Sequence, residues 1–180
     1  AGLGDFVVFI TRRFPHGQVL AFEPFGESFA SLERSIALNG VTNVVARRLA
    51  IGGASGVARL SLGTGVAVQH STARADETGA GETVDELPLG AALESAGAAR
   101  CDFLKLDCEG AEYAILRQAA ADGTLARVGR ISMEYHDGVT DGSGAWLADF
   151  LRGHGFAVSL EPNPAHANIG FLRAVRDSRA

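Results

Sequence analysis

Short apolar runs alternate along the chain with segments whose apolar residues recur at helical spacing. Runs at 18–23, 102–107 and 128–134 are rich in β-branched or aliphatic residues and are predicted to be strands. Segments 27–38 and 111–121 have apolar residues three or four positions apart, which predicts amphipathic helices. Strands that alternate with helices indicate an α/β fold around a mostly parallel sheet.

Two segments need context before they can be assigned. Residues 6–10 have the β-branched and aromatic composition of a strand, but they follow a glycine turn, where a crossover helix is expected. We therefore predict a helix there, with a strand as the alternative. Segments 156–161 and 168–175, joined across an Asn-Pro loop, are predicted to form a terminal antiparallel pair.

The middle of the chain gives weaker signals. Residues 44–49 and 57–62 are predicted strands, with a small loop at 50–53 between them. The polar segment 63–86 is expected to be a surface loop, either a lid over a site or simply a mobile connection. A short helix is predicted from Thr83 through about Ala96.

A glycine turn opens the chain at Gly2-Leu3-Gly4. In nucleotide-binding α/β units such glycines follow the first strand, because residues without Cβ let the backbone turn tightly beside a ligand. No strand precedes them here. We expect residues 1–180 to form a single domain that lacks its first strand and is incomplete at its N-terminus.

Charge and composition limit the kinds of binding partner and the location that are expected for this chain. The formal charge of −5 argues against nucleic acid, which requires a basic face. No run approaches the roughly 18 apolar residues of a membrane span, so no membrane partner is expected. Cys101 and Cys108 flank one predicted strand, too far apart for a disulfide, which fits a reducing, cytoplasmic location. The oligomeric state is left open.

Ionisable residues gather where predicted strands end. Glu23, Asp107 and Glu134 each close a strand, and Glu109 and His136 follow two positions later in the last two cases. In open α/β sheets the ligand lies beyond the carboxyl ends of the strands. Glu23 comes about twenty residues after the glycines, where an acidic side chain accepts hydrogen bonds from ribose hydroxyls. His136 is suited to act as a base, because the ordinary pKa of histidine is near neutrality.

The stretch Asp102 to Tyr113, DFLKLDCEGAEY, closely resembles the signature strand and turn of the FkbM family of methyltransferases, and the resemblance spans nearly the whole chain. It implies a doubly wound, Rossmann-like methyltransferase sheet, mostly parallel with a terminal antiparallel pair and here without its first strand. It further implies S-adenosylmethionine as the cofactor and O-methylation of a small-molecule or glycan acceptor.

The resemblance also implies roles for individual residues. Asp107 is expected to contact the methionine portion of the cofactor, and the loop at 50–53 the adenine. From their positions at the strand ends, rather than from the resemblance, His136 would take the acceptor's proton, while Glu109 orients His136 or the acceptor. The expected catalytic residues are His136, Glu109 and Asp107. The expected cofactor-binding residues are Gly2, Leu3, Gly4, Glu23, Ala50 and Asp107.

Plainer interpretations stay open. Asp107 and Glu109 could solvate a turn, Glu23 a strand end, and His136 could be a non-catalytic polar residue. A divalent cation held by Asp107, Glu109, Glu134 and His136 is possible but not favoured.

Two other functions are alternatives to methyl transfer. An incomplete or degenerate domain would bind the cofactor or a partner without catalysis. An NAD-dependent oxidoreductase is disfavoured by Val7, which stands where the dinucleotide fingerprint has Gly or Ala, and by the terminal strand pair.

Overall fold

A computed structural model describes residues 1–62, 70–71, 81–140, 142–166 and 168–177 of the chain. Within these residues, none of the helices has the length and apolar character needed to cross a membrane. Both cysteines are free, as the sequence predicts.

Helices and strands alternate through most of the described chain. The helices are α1 (Asp5–Arg13), α2 (Gly26–Leu38), α3 (Leu89–Ser95), α4 (Glu112–Ala121), a 3₁₀ helix (Thr124–Arg127) and α5 (Gly144–Gly153). The strands are β1 (Val19–Phe22), β2 (Val44–Arg47), β3 (Ala50–Gly52), β4 (Gly56–Leu62), β5 (His70–Ser71), β6 (Gly81–Pro88), β7 (Leu104–Leu106), β8 (Arg130–His136), β9 (Phe156–Pro162) and β10 (Ile169–Arg176).

The strand pairings confirm the predicted fold class. β1 and β2 form a parallel pair. β7 and β8 form a second parallel pair, which β10 and then β9 extend in antiparallel fashion in the order β7-β8-β10-β9. Among the described residues, β1 and β7 belong to separate hydrogen-bonded ladders. A Rossmann-like α/β arrangement with parallel strand pairs and a terminal antiparallel pair is therefore present.

A third sheet corrects two predictions in the middle of the chain. The expected loop at 50–53 is largely strand β3, and the expected helix from Thr83 is strand β6, with α3 beginning only after Pro88. β6 pairs with β3 on one side and β4 on the other, so its backbone hydrogen bonds are used across the sheet. Val84 is buried against Ala50 and Leu60, and this packing overrides the local helical signal.

The polar segment predicted as a loop over 63–86 is a strand from Gly81 onward. Residues 63–69 and 72–80 lie outside the described residues, and with them most of the proposed lid.

Helix α1 confirms the helical assignment of residues 6–10. Its Val7 is buried with Ala21 of β1 and Leu32 of α2, which makes a small core of its own. Gly4 caps the helix at φ 94°, and a Cβ there would approach Leu32 Cδ1 to 2.9 Å. Glycine is therefore required both by the backbone and by the packing of α2 on this turn.

The larger core lies between the β7-β8-β10-β9 sheet and the helices α4 and α5. Its fully buried members include Ile115 and Leu116 of α4, Leu147 and Leu151 of α5, and Leu172 of β10. This packing holds the carboxyl ends of β7 and β8 beside the first turn of α4.

Candidate functional site

The carboxyl ends of β7 and β8 bring three predicted residues together. Because the two strands are parallel, with Leu106 opposite Met133, the turn after β7 and the last residue of β8 reach the same edge. Atoms of Asp107, Glu109 and His136 able to bind a cation lie within 4.8 Å of one another. The clustering expected from the sequence is therefore present.

The turn after β7 has an unusual backbone. Glu109 has φ 53°, in the left-handed region that residues other than glycine rarely adopt, and Gly110 follows at φ 108°. A Cβ on Gly110 would lie 2.4 Å from Val139 Cγ1, so a larger residue does not fit. Strain of this kind concentrates at functional sites, where it fixes the direction of a side chain.

His136 is the buried centre of the cluster, with 3% of its surface exposed. Its Nε2 lies 3.6 Å from Glu109 Oε2, and its Nδ1 lies 3.3 Å from Glu112 Oε1. Burial alone lowers the pKa of His136, but the carboxylates of Glu112, Glu109 and Glu134 raise it, and the net result is a pKa above the ordinary value.

Two acidic residues near His136 differ in exposure. The side chain of Asp107 is 40% exposed, with one oxygen 3.1 Å from Lys105 Nζ. Glu134 is half-buried, and its pKa is raised first by burial and then by the charge of Asp107. Asp107 is thus the more exposed of these two carboxylates and the more open to a ligand from solvent.

Glu112 is the residue that sequence reasoning missed. Its position in the first turn of α4 suggests a favourable interaction with the helix dipole, but its side chain is completely buried. It accepts hydrogen bonds from the backbone N–H of Cys108 at 2.7 Å and of Gly110 at 2.9 Å. Its contact with His136 crosses from α4 to β8, so no local pattern in the sequence reports it.

Glu23 and the glycine turn form a second part of the site. Glu23, at the end of β1, is 8% exposed. Its Oε2 accepts hydrogen bonds from Gly2 N at 2.7 Å and from the amino group of Ala1 at 3.0 Å, and its Oε1 accepts one from Phe25 N at 3.0 Å. The predicted neighbourhood of Glu23 and the glycines is present; their roles toward a cofactor stay predictions.

The two parts of the site are close in space. The ring of Phe6 of α1, which follows the glycine turn, lies 6.4 Å from the ring of Phe103, just before β7, measured between ring centres. Lys105 of β7 lies over the ring of Phe6 of α1, 5.7 Å from its centre. Burial raises the pKa of Cys108 to about 12, with Glu112 adding to the effect, so this thiol is not a nucleophile at neutral pH.

Three residues predicted to bind the cofactor, Ala50, Leu3 and Gly4, make contacts with other parts of the protein. Ala50 is 3% exposed and packs in the core with Leu60 and Val84, so its side chain is turned into the protein. Leu3 is half exposed, and its carbonyl accepts a hydrogen bond from the Ser35 hydroxyl. Gly4 packs on α2. The adenine assignment of the 50–53 segment stays a prediction.

The chemistry of this edge has two readings. A buried imidazole beside carboxylates is suited to proton transfer, whereas two carboxylates and an imidazole also suit a divalent cation. Of the four residues considered for a cation, Glu134 is not part of the group that meets within 4.8 Å.

Comparisons with known proteins indicate the family to which this chain belongs. The model of the methyltransferase FkbM domain matches residues 1–158. The 31-O-demethyl-FK506 methyltransferase FkbM of Streptomyces tacrolimicus is 28% identical over 199 residues, covering 93% of this chain and 74% of that protein. The AMB antimetabolite synthetase AmbE of Pseudomonas aeruginosa is also 28% identical, over 89% of this chain, but the chain spans only 9% of its length.

Solved structures share the fold. The methyltransferase FkbM of Methylobacillus flagellatus superposes with a TM-score of 0.66 at 12% identity, over 97% of this chain and 41% of that one. SMU.1697c of Streptococcus mutans, described as a putative methyltransferase in complex with SAH, gives 0.54 at 12% identity, over 98% and 84%. Since the FkbM domain model covers most of its length, this chain belongs to the FkbM methyltransferase family.

Proposed function

We propose that this chain transfers a methyl group from S-adenosylmethionine to a hydroxyl of a small-molecule or glycan acceptor. The observation that carries the proposal is the buried His136 at the end of β8, whose Nε2 lies 3.6 Å from Glu109 at the edge where α/β folds bind ligands. The Streptomyces relative, named for a 31-O-demethyl substrate, supports a hydroxyl as the acceptor.

The residues around the end of β1 are suited to bind the proposed cofactor. A carboxylate offers about four acceptor positions, and the backbone N–H groups of Gly2 and Phe25 use two of those on Glu23, so a further donor can bind to this carboxylate. A ribose hydroxyl is a donor that suits it. At Gly2, with φ 58°, no neighbouring atom of the described residues lies within 4 Å of where a Cβ would stand, so the turn has open space beside that carboxylate. When bound, the cofactor supplies a methyl group on a positively charged sulfur.

His136 supplies what the acceptor needs. A neutral hydroxyl is a weak nucleophile, and a base within hydrogen-bonding distance that takes its proton typically contributes 10²–10⁴-fold. Nε2 of His136 faces the cluster edge beside Glu109, so an acceptor hydroxyl placed there donates to Nε2. Glu109 then faces the imidazolium that forms and stabilises its charge.

The first experiment tests catalysis directly. The protein is incubated with S-adenosylmethionine labelled in its methyl group and with pools of hydroxylated metabolites and glycans, and labelled products are identified. On the acceptor found, His136→Asn should lose 10²–10⁴-fold in turnover with cofactor affinity unchanged, because Asn cannot take the proton. His16→Asn, at an exposed position, is the matched control. A His136→Asn variant within a few-fold of the parent would rule out the base.

The pH profile adds a second readout. Only the neutral imidazole accepts a proton, and the pKa of His136 is raised above 6.5. Turnover of the parent should therefore rise with pH through a midpoint above 6.5.

Further experiments distinguish the proposed function from the alternative functions. Calorimetric titration with S-adenosylmethionine and with NAD decides between a methyltransferase and an oxidoreductase. Activity lost on chelation and restored by Mg²⁺ would favour the cation at Asp107, Glu109 and His136 over the base. Cofactor binding without transfer to any acceptor would favour a degenerate domain.

A further inference from the structure

Glu112 is held in a way that capping its helix does not explain. Its carboxylate has no exposed surface and receives two backbone hydrogen bonds, from Cys108 N and Gly110 N, in the turn that carries Asp107 and Glu109. Hydrogen bonds to a charged acceptor are strong, and they hold both oxygens in place. An acidic residue that only offsets the helix dipole does so equally well at the protein surface, where its charge stays in water and has no desolvation cost.

The fixed carboxylate faces one nitrogen of His136. Glu112 Oε1 is 3.3 Å from Nδ1, at ion-pairing distance rather than in an aligned hydrogen bond, and among the described residues Nδ1 makes no hydrogen bond. A buried N–H without an acceptor is costly, so the nearest acceptor determines where the ring carries its proton. With the proton on Nδ1 toward Glu112, Nε2 keeps its lone pair and faces Glu109.

We infer that Glu112 is a positioning residue, which holds His136 with its proton on Nδ1 and so presents Nε2 as the proton acceptor. This inference rests on the proposed function in its catalytic consequence, while the pairing of the two side chains stands on geometry alone. Glu112 touches neither the acceptor nor the reacting atoms.

In the proposed methyl transfer, His136, Glu109 and Glu112 each have one role in handling the acceptor's proton. As the new O–CH₃ bond forms and the S–CH₃ bond breaks, the sulfur keeps the electron pair and becomes neutral, and the hydroxyl proton moves to Nε2. The imidazolium then bears its charge between Glu112 on Nδ1 and Glu109 on Nε2. Glu112 does not itself take the proton.

Several charges act on the ring, and a test must separate Glu112 from the others. The ionisable groups around His136 are Glu112 of α4, Glu109 and Asp107 of the turn after β7, and Glu134 of β8. Glu112 Oε1 lies 3.3 Å from Nδ1, compared with 3.6 Å between Glu109 Oε2 and Nε2. Removing its charge should weaken proton binding at His136 by about tenfold or more.

The experiment measures the ring itself and needs no acceptor. Nitrogen-15 NMR of the whole protein gives the tautomer of neutral His136 and its titration midpoint. In the parent the proton should be on Nδ1. Glu112→Gln should bind the proton at His136 about tenfold more weakly or worse, and Glu112→Asp should recover part of the proton affinity because it keeps the charge.

Glu27→Gln is the matched control, since Glu27 also lies in the first turn of a helix, α2, but is exposed. It should leave the His136 titration unchanged. A neutral His136 with its proton on Nε2 in the parent would overturn the inference, even if Glu112→Gln does not fold. An unchanged midpoint in Glu112→Gln would overturn it too. If the parent fails to bind S-adenosylmethionine, the proposed function fails, while the tautomer and the titration still decide the role of Glu112.

Discussion

At the scale of single residues, the site depends on buried charge. His136, Glu112 and Glu23 are each less than 10% exposed, yet each faces oppositely charged or hydrogen-bonding groups. The sequence predicted His136 and Glu23 because strand ends are visible as the end of an apolar run. It did not predict the contact between Glu112 and His136, because two elements distant in the chain must first pack together.

The raised pKa of His136 makes the stability of the protein depend on pH. A histidine with a folded pKa above its unfolded value near 6.5 stabilises the fold through its protonated form. That contribution is fully present below about pH 6.5 and is lost as the pH rises through the folded pKa. The difference in free energy of unfolding between the parent and His136→Asn should therefore be larger at pH 6 than at pH 9.

Urea denaturation of both proteins at the two pH values measures this difference. His16→Asn, at an exposed position, should follow the parent at each pH. A difference between parent and His136→Asn that grows from pH 6 to pH 9 would contradict the raised pKa.

Glu23 offers a test of the cofactor site. Charge-assisted hydrogen bonds are worth roughly 1.5–3 kcal/mol, so Glu23→Ala should weaken S-adenosylmethionine binding at least tenfold. Calorimetric titration gives the affinity. Glu27→Ala, on the exposed face of α2, should bind like the parent, and equal affinity in the two variants would remove Glu23 from the site.

At the scale of elements, the sequence predicts those whose signals are local. β7, β8 and α4 appear where apolar runs and helical spacing indicate them, and α1 follows from the glycine turn before it. β6 was wrongly predicted as a loop and helix because its partners, β3 and β4, lie elsewhere in the chain. Pairing on both sides outweighs local propensity, and no short window of sequence contains that information.

The turn between β7 and α4 should be the least tolerant element of the site. Alanine at Gly110 has to adopt φ 108° with its Cβ 2.4 Å from Val139 Cγ1, so Gly110→Ala should cost about 1–3 kcal/mol of unfolding free energy. Val139→Ala in the same chain removes that contact and should recover part of the loss. Gly97→Ala, at φ 69° and with open space among the described residues, gives the cost of a positive φ without a close contact.

Chemical denaturation of the variants gives the three values. If Gly110→Ala costs no more than Gly97→Ala, close packing of Val139 on the turn is not what requires glycine there.

At the scale of the whole molecule, the site lies between two hydrogen-bonded ladders joined by side-chain packing. Leu20 of β1 packs against the larger core, and Phe6 of α1 contacts Phe103 just before β7. Sequence order predicts this layout only in outline, because the contacts that join the ladders link segments far apart in the chain.

The last strand of the chain is tied to the larger core by Arg176. Its guanidinium donates to the carbonyls of Val128, at 2.9 Å, His154, at 3.1 Å, and Leu125, and lies over the ring of Phe156. These contacts hold the end of β10 against the segment that leads into β8 and the turn that leads into β9.

A lysine at position 176 cannot satisfy three carbonyls in different directions, so Arg176→Lys should lower the unfolding free energy by about 2 kcal/mol and Tm by roughly 4–8 °C. Arg173→Lys, on the same strand, is the control: its ion pair with Glu161 is more than half exposed on both sides and should contribute within about 0.5 kcal/mol. Equal Tm losses in the two variants, measured by calorimetry, would mean that Arg176 does not join the end of β10 to the core. A larger loss at Arg176 would show that its contacts with the larger core stabilise the fold beyond what an exposed ion pair on the same strand contributes.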